Sequence, residues 1–140
     1  MILSREISEK TEQIIQSIKA NFTKPVMYLK HEDEKILFGN YEDEKDFYFV
    51  YLDDTLPDEA FEINIIHQLL HIDQINRQFP YAKEISENVY GDVHVSRSFA
   101  ILFNSIVSDL EVEHRLRNEF DFDTSYFLNK RLERLKEIRD

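Results

Sequence analysis

Apolar side chains near the start of the chain recur at the spacing of a helix. They occupy one side of residues 5–21, where Ser4 is placed to cap the first turn and Asn21 and Pro25 end the pattern. Side chains that recur at this spacing share one face of a helix, so they are expected to pack against a core. The sequence therefore predicts a first amphipathic helix, with its apolar positions at Ile7, Ile14, Ile15 and Ile18.

The hydrophobic period changes to two over residues 25–52, which predicts three short strands. The charged sequence EDEK occurs twice in this region, at 32–35 and at 42–45, with Gly39 between the copies. Solvated turns between antiparallel strands explain both copies. A calcium loop is disfavoured, because the regular oxygen-ligand spacing and the central glycine of an EF-hand are missing. The alternating positions are Val26, Tyr28, Ile36, Phe38, Phe47, Phe49 and Tyr51.

Three further helices are predicted in the second part of the chain. One runs from residue 58 to about residue 79 and is followed by an irregular connection over 80–97. A strongly apolar helix then covers about 99–119, and a last helix starts at Thr124. The last helix carries Phe127, Leu128, Leu132, Leu135 and Ile138 on one side.

Length and composition indicate a single α+β domain over residues 1–140, with an N-terminal helix, a small antiparallel or mixed sheet and three helices after it. The 28 acidic residues outnumber the 17 basic ones and give a net charge of −11, so a nucleic-acid backbone would be repelled.

Cysteine is absent, so any metal site must use histidine and carboxylate. No apolar run approaches the roughly 18 residues of a membrane helix, and a cytoplasmic protein that binds neither membrane nor nucleic acid is expected.

The main chemical signal is the sequence His67-Gln68-Leu69-Leu70-His71 in the predicted helix. A helix turns by about 100° per residue, so His67 and His71 lie one turn apart on one face and can bind the same ion. Hydrophobic residues flank the pair, and a buried histidine pair without a metal or partner would be unfavourable. In a hydrolytic HExxH site the glutamate takes a proton from the attacking water, whereas Gln68 cannot accept a proton at neutral pH. The sequence therefore predicts a Zn²⁺ site with little or no hydrolysis.

The third ligand is expected from the helix over 99–119. Asp109 and Glu113 lie one turn apart there, on an otherwise apolar stripe that includes Leu102 and Ile106. Unpaired charge is disfavoured on such a stripe, so the carboxylates need a partner. Asp109 is the first choice as ligand, followed closely by Glu113. The other carboxylate would accept a hydrogen bond from the second nitrogen of a ligand histidine.

Two assignments around the site stay open at this point. Glu113 could instead be a surface residue that pairs with Arg117 at the next turn of the helix. Tyr90 and His94 lie in the predicted irregular connection and are candidate hydrogen-bond donors to an oxyanion over the metal.

On these residues the chain resembles the zincin metallopeptidases, specifically small bacterial enzymes of gluzincin-like build. The resemblance covers about residues 47–123, with a strand at 47–52, the HQxxH helix, and a following helix that holds the acidic residues of 109–113. It implies one zincin-like domain in which His67, His71 and an acidic residue of the second helix hold zinc. It also implies that a peptide or protein segment lies along strand 47–52 as an added β-strand.

Gln68 departs from the pattern of this family, and two explanations compete. One is a natural pseudopeptidase whose metal site and groove bind a peptide or regulate a partner. The other is a deliberate Glu→Gln change that traps an otherwise active peptidase, which we slightly favour because glutamine is the nearest isostere of glutamate. A metal-free helical interaction protein with structural histidines is the alternative from another class, and in it His71→Ala would change stability but not metal content.

Overall fold

The computed structural model describes residues 1–32, 38–80 and 93–139, apart from the side chains of 93–97 and 139. Within these residues the chain forms four helices and one sheet of three strands, which confirms the predicted α+β layout. The elements in chain order are α1 (Glu9–Lys19), β1 (Val26–Lys30), β2 (Gly39–Asp43), β3 (Tyr48–Leu52), α2 (Asp58–Asn76), α3 (Val93–Asn118) and α4 (Ser125–Arg139).

Helix α1 starts later than predicted because Ser8, and not Ser4, caps it. Ser8 Oγ accepts a hydrogen bond from the backbone N–H of Thr11 at 3.2 Å. Ser4 instead has a φ of 63°, in the left-handed region, which does not lead into a right-handed helix. The hydroxyls of Ser8 and Thr11 each donate to the carboxylate of Glu62 at 3.1 Å. These bonds hold the start of α1 against α2.

The three strands form one mixed sheet with the order β1-β3-β2. β3 is parallel to β1 and antiparallel to β2, with Gly39 opposite Leu52. The predicted antiparallel or mixed sheet is therefore confirmed as a mixed one, in which β2 and β3 are antiparallel neighbours and β3 lies between β1 and β2. The predicted strand at Ile36 and Phe38 falls partly on residues 33–37, which lie outside the described residues, and β2 starts immediately after Phe38.

Helix α2 is buried on nearly all sides, because the sheet covers one side and α1 and α3 cover others. A helix with apolar residues all round is typical of the centre of a domain. The polar side chains of α2, including His67, Gln68 and His71, therefore need hydrogen-bond or ion partners inside the fold. The fully buried apolar residues of α2 are Phe61, Ile63, Ile65, Ile66, Leu69, Leu70 and Ile72.

Helices α3 and α4 expose apolar residues that the sequence pattern assigned to the core. Leu102 and Ile106, expected to be buried on the stripe that holds Asp109, are 60% and 50% exposed. Of the predicted stripe of α4, Phe127 is buried and the other four residues are exposed. Hydrophobic spacing identifies a helix face, but the neighbouring elements decide which face is covered. The helix begins at Val93, inside the predicted irregular connection. Among residues 98–118 of α3 the buried ones are Ala100, Ser108, Val112 and Leu116.

Candidate metal centre

His67, His71 and Asp109 meet between α2 and α3. The Nε2 atoms of His67 and His71 are 3.2 Å apart, and Asp109 Oδ1 lies 3.0 Å from Nε2 of His71. One ligand atom from each residue lies within 4.8 Å of the other two. Ligand atoms bound tetrahedrally to one zinc ion are separated by about 3.3 Å, given bond lengths of about 2.0–2.1 Å. The three side chains could therefore hold a metal ion.

Glu113 lies one turn beyond Asp109, beside the other nitrogen of His67. Its Oε1 is 3.9 Å from Nδ1 of His67 and 3.7 Å from a guanidinium nitrogen of Arg131. Arg117, the alternative partner, instead donates to the backbone carbonyl of Glu113 at 3.4 Å. The carboxylate of Glu113 therefore faces the site. A small adjustment would let it accept a hydrogen bond from Nδ1 of His67.

The Nδ1 atom of His71 lies between two hydrogen-bond acceptors. Ser108 Oγ is 2.9 Å from it and Gln74 Oε1 is 3.1 Å from it. Ser108 donates its single hydroxyl hydrogen to Gln74 Oε1 at 2.6 Å, and an amide oxygen can only accept. Because both neighbours then accept, the ring hydrogen of neutral His71 belongs on Nδ1.

With a hydrogen on Nδ1, neutral His71 presents the lone pair of Nε2 to the site. His67 is oriented in the same way, because its Nδ1 faces the carboxylate of Glu113. The two Nε2 atoms, each with its lone pair, and a carboxylate oxygen of Asp109 then lie within 4.8 Å of one another. Three acceptors this close repel one another unless a cation or a proton lies between them. The donor set fits a divalent metal ion.

The electrostatic environment favours the protonation states that bind a metal. The pKa of His67 is lowered to about 3, mainly by burial and next by the charge of His71. Burial raises the pKa of Asp109, but the neighbouring imidazoles, when protonated, and the guanidinium of Arg131 favour the carboxylate, and the pKa is lowered overall. At neutral pH, His67 is therefore uncharged and Asp109 is ionised, as metal ligands must be.

Gln68, which replaces the glutamate of the HExxH pattern, lines the cavity beside the cluster. Its side chain is buried, and its Nε2 donates to Oδ1 of Asn64 at 3.3 Å. Asn64 in turn donates from Nδ2 to the backbone carbonyl of Phe38 at 3.0 Å. The two amides thus form a short chain of hydrogen bonds from α2 to the residue before β2.

The cavity has a volume of about 220 Å³ and reaches all three candidate ligands. Tyr41 of β2 stacks on the ring of His71, with centroids 5.3 Å apart and an interplanar angle of 13°. Phe38 and Phe127 form an apolar part of the wall, with their rings perpendicular and 4.6 Å apart. Arg131 of α4 also lines the cavity. The space beside the cluster is therefore bounded by β2, α2, α3 and α4.

Buried polar groups hold α3 against α2 behind the cluster. Gln74 Nε2 donates to the backbone carbonyl of Ser108 at 3.0 Å and to the carboxylate of Glu111 at 2.7 Å. Asp73, which is 4% exposed, accepts a hydrogen bond from Arg115 at 2.7 Å. Charge-assisted bonds between partly buried groups are directional, so they fix the position of α3, and with it Asp109, relative to the two histidines.

Sequence reasoning missed several residues that border the site, among them Ser108, Gln74, Tyr41 and Arg131. Gln74 lies three positions after His71 on the same helix, so a search for polar residues one turn from each ligand would have found it. Ser108 directly precedes a candidate ligand, but neighbouring positions of a helix point in different directions. Tyr41 and Arg131 come from β2 and α4, and no local pattern connects them to the motif.

Two predictions about this region have different outcomes. Tyr90 lies outside the described residues, and so does the side chain of His94, whose backbone belongs to α3. The prediction of an added strand along 47–52 is wrong in its position, because β3 already has β1 on one side and β2 on the other. The edge strand that borders the cavity is β2, which contributes Gly39 and Tyr41 to its wall.

Comparisons with protein-family models, curated proteins and solved structures found no match to this chain. The zincin resemblance therefore stays a prediction that depends on the motif and the arrangement of the site. Among the helices that the structure describes, none has the length and apolar character needed to cross a membrane.

Proposed function

We propose that the protein is a zincin-like zinc metallopeptidase relative in which His67, His71 and Asp109 bind the ion and Gln68 replaces the general base. The observation that carries this proposal is the convergence of two Nε2 lone pairs and one carboxylate, with an acceptor behind each imidazole. Two imidazoles and one carboxylate are a common ligand set of catalytic zinc, which keeps a further position open. The adjoining cavity leaves room for that position.

A zinc ion in this site would supply Lewis acidity toward a carbonyl group and a water molecule. The chain's own residues then decide whether hydrolysis follows. The amide of Gln68 can hydrogen-bond a water in the cavity, but it cannot take its proton at neutral pH. The protein with Gln68 is therefore proposed to bind peptide and to hydrolyse it poorly.

A second candidate function is a natural peptide-binding module that keeps the same zinc site without any catalytic role. The hydrogen bond from Gln68 Nε2 to Asn64 Oδ1 favours it. An ionised glutamate at position 68 has no hydrogen to donate, and Asn64 cannot turn its amide around without losing the bond to Phe38. The hydrogen-bond acceptor beside residue 68 therefore favours the amide of glutamine over the carboxylate of glutamate.

In either case we propose that the peptide lies along β2 and not along β3. β2 is the edge strand of the described sheet next to the cavity and has a neighbouring strand on one side only. An extended peptide can pair with an edge strand through main-chain hydrogen bonds, while its side chains enter adjacent pockets. A peptide in that position would pass beside His71, on which Tyr41 of β2 is stacked.

Zinc binding tests the proposed function directly. The protein is equilibrated with zinc by dialysis, and bound metal is measured by mass spectrometry for the original chain and for His71→Ala and Asp109→Asn. We expect one zinc per chain, with clear loss in both variants. His114→Ala is the matched control, because His114 is an exposed histidine of α3 outside the cluster. Absence of bound zinc, or equal zinc in His71→Ala, would refute the proposal.

A further inference from the structure

The cavity beside the candidate metal site contains a cation that the metal site itself does not require. Arg131 projects from α4 and lies 3.7 Å from Glu113 Oε1. Arg131 lines the same cavity as His67 and Asp109. The separation from Glu113 exceeds the roughly 2.7–2.9 Å of a charge-assisted hydrogen bond. A guanidinium has five N–H donors, so Arg131 can bind a second carboxylate.

The charge balance of the loaded site favours an anionic ligand. With a divalent ion bound, the positive charges of the ion and Arg131 exceed the negative charges of Asp109 and Glu113 by one. The chain as a whole carries a net charge of −11, so an anion is repelled from most of the surface. A local excess of positive charge in this cavity therefore selects a ligand group with one negative charge.

The apolar part of the wall lies next to this cation. Phe127 precedes Arg131 by one helical turn on α4, and it packs edge to face against Phe38 with centroids 4.6 Å apart. The cavity volume of about 220 Å³ is below the roughly 300–1,000 Å³ that is typical of pockets for whole small-molecule ligands. It suits one apolar side chain together with a nearby carboxylate.

We propose that the cavity receives the C-terminal residue of a peptide, whose free carboxylate binds Arg131 and whose apolar side chain packs against Phe38 and Phe127. The terminal residue is the one place in a peptide chain where a carboxylate and an apolar side chain share one Cα atom. This inference rests on the proposed function for the position of the metal. It adds a substrate class, namely peptides with an apolar last residue and a free C-terminus.

Binding of three matched peptide probes tests the proposal by calorimetry. The first is acetyl-glycyl-glycyl-phenylalanine with a free carboxylate, and the second is its C-terminal amide. The third is acetyl-glycyl-glutamyl-phenylalanine amide, which carries its carboxylate on a side chain. The zinc-loaded protein is expected to bind the free acid at least about ten-fold more tightly than either amide, a difference of about 1.4 kcal/mol.

Arg131→Gln should remove the preference for the free acid while the protein still binds one zinc per chain. Arg131→Lys should keep part of the preference. Lys136→Gln removes an equal charge from an exposed position of the same helix and should keep the whole preference. Equal binding of acid and amide to the original chain would overturn the proposal. Tight binding of the glutamyl amide would also overturn it, since the carboxylate would then come from a side chain.

The same titrations on zinc-free protein separate this proposal from the proposed function. If the chain binds no zinc but prefers the free acid, and Arg131→Gln removes the preference, the metal assignment fails and the carboxylate site stands. A different result is that zinc binds and Arg131→Gln still prefers the free acid, whereas the zinc-free protein shows no preference. The carboxylate of the peptide then binds the metal instead of Arg131. That result would overturn the role of Arg131 and leave the zinc site intact.

Discussion

Ser108 Oγ lies 2.9 Å from Nδ1 of His71, while Nε2 of the same ring lies 3.0 Å from the carboxylate of Asp109. One imidazole therefore links a buried hydroxyl behind the site to a candidate metal ligand in front of it. A hydrogen bond to the second nitrogen of a ligand histidine sets its tautomer and its orientation. Ser108 and Gln74 are thus positioning residues for His71.

Ser108→Ala is expected to weaken zinc binding by about ten-fold, at the lower end of the roughly 10–100-fold range for such partners, because Gln74 still accepts from His71. Competition with a chromophoric chelator measures the affinity. Nitrogen NMR of His71 in the metal-free protein should also show a smaller share of the Nδ1–H form. Ser108→Thr should restore both quantities, and Ser98→Ala, at an exposed position of α3, should change neither. An unchanged tautomer in Ser108→Ala would contradict the positioning role.

His67 should make the metal-free protein less stable as the pH falls below neutrality. Its pKa is lowered from 6.5 to about 3 in the folded state, so between these values the unfolded chain binds the proton more readily. The free energy of unfolding should then fall by up to about 1.4 kcal/mol per pH unit through this window. Urea unfolding at pH 7 and pH 5, with chelator present, measures the change.

Replacing the imidazole of His67 separates its contribution to the pH dependence of stability from that of the other histidines. His67→Asn should lose less stability than the original chain between pH 7 and pH 5, because the buried titrating group is gone. His114→Asn removes an exposed histidine and should follow the original chain. Identical slopes for His67→Asn and the original chain would mean that His67 titrates normally in the folded protein.

Gln68→Glu is expected to convert the zinc-loaded protein into an active peptidase. A general base in the correct position contributes about 10²–10⁴-fold to rate, and Gln68 lines the cavity where that base would lie. Cleavage of a mixed library of quenched fluorescent peptides measures the gain. The double variant Gln68→Glu with His71→Ala should be inactive, which rules out a contaminating protease. A zinc-loaded Gln68→Glu protein that binds peptide but cleaves none would favour the binding module.

Gly39→Ala should destabilise the sheet where it meets the cavity. A Cβ atom at this position would collide with the backbone carbonyl oxygen of Tyr51 and lie 3.1 Å from Nδ2 of Asn64. Forcing additional atoms into a packed site costs about 1–3 kcal/mol. The free energy of unfolding in urea checks this, with Asn40→Ala as a control on the same strand. Equal stability of the two variants would show that β2 moves away from β3 at no cost.

The placement of the two histidines was predictable because it depends on one helix. His67 and His71 are four positions apart, and the geometry of a helix places them one turn apart in any fold. Asp109 was predicted as the third ligand by a different argument, namely that it is a carboxylate on an apolar stripe of a helix. The structure brings Asp109 to the histidines, yet Leu102 and Ile106 on that stripe are exposed, so the argument about burial was wrong.

The cap of α1 and the pairing of the strands could not be predicted from local sequence. Ser4 and Ser8 are both acceptable caps by residue type, and the contact of Ser8 with Glu62 of α2 distinguishes them. The sequence pattern predicted an antiparallel or mixed sheet but did not predict the order of its strands. Pairing depends on which strand edges meet around α2, and this is a property of the whole core.

The sequence by itself determined the class of fold, the helix that carries HQxxH and the absence of an acid–base group at position 68. These features depend on hydrophobic period, on helix geometry and on the chemistry of an amide, all of which are local. Tertiary structure alone decided that Ser108 and Gln74 lie behind His71, that β3 occupies the centre of the sheet, and that Arg131 lines the cavity. Each of these relationships joins elements that are distant in the chain, and packing of those elements, not residue order, sets the distance between their side chains.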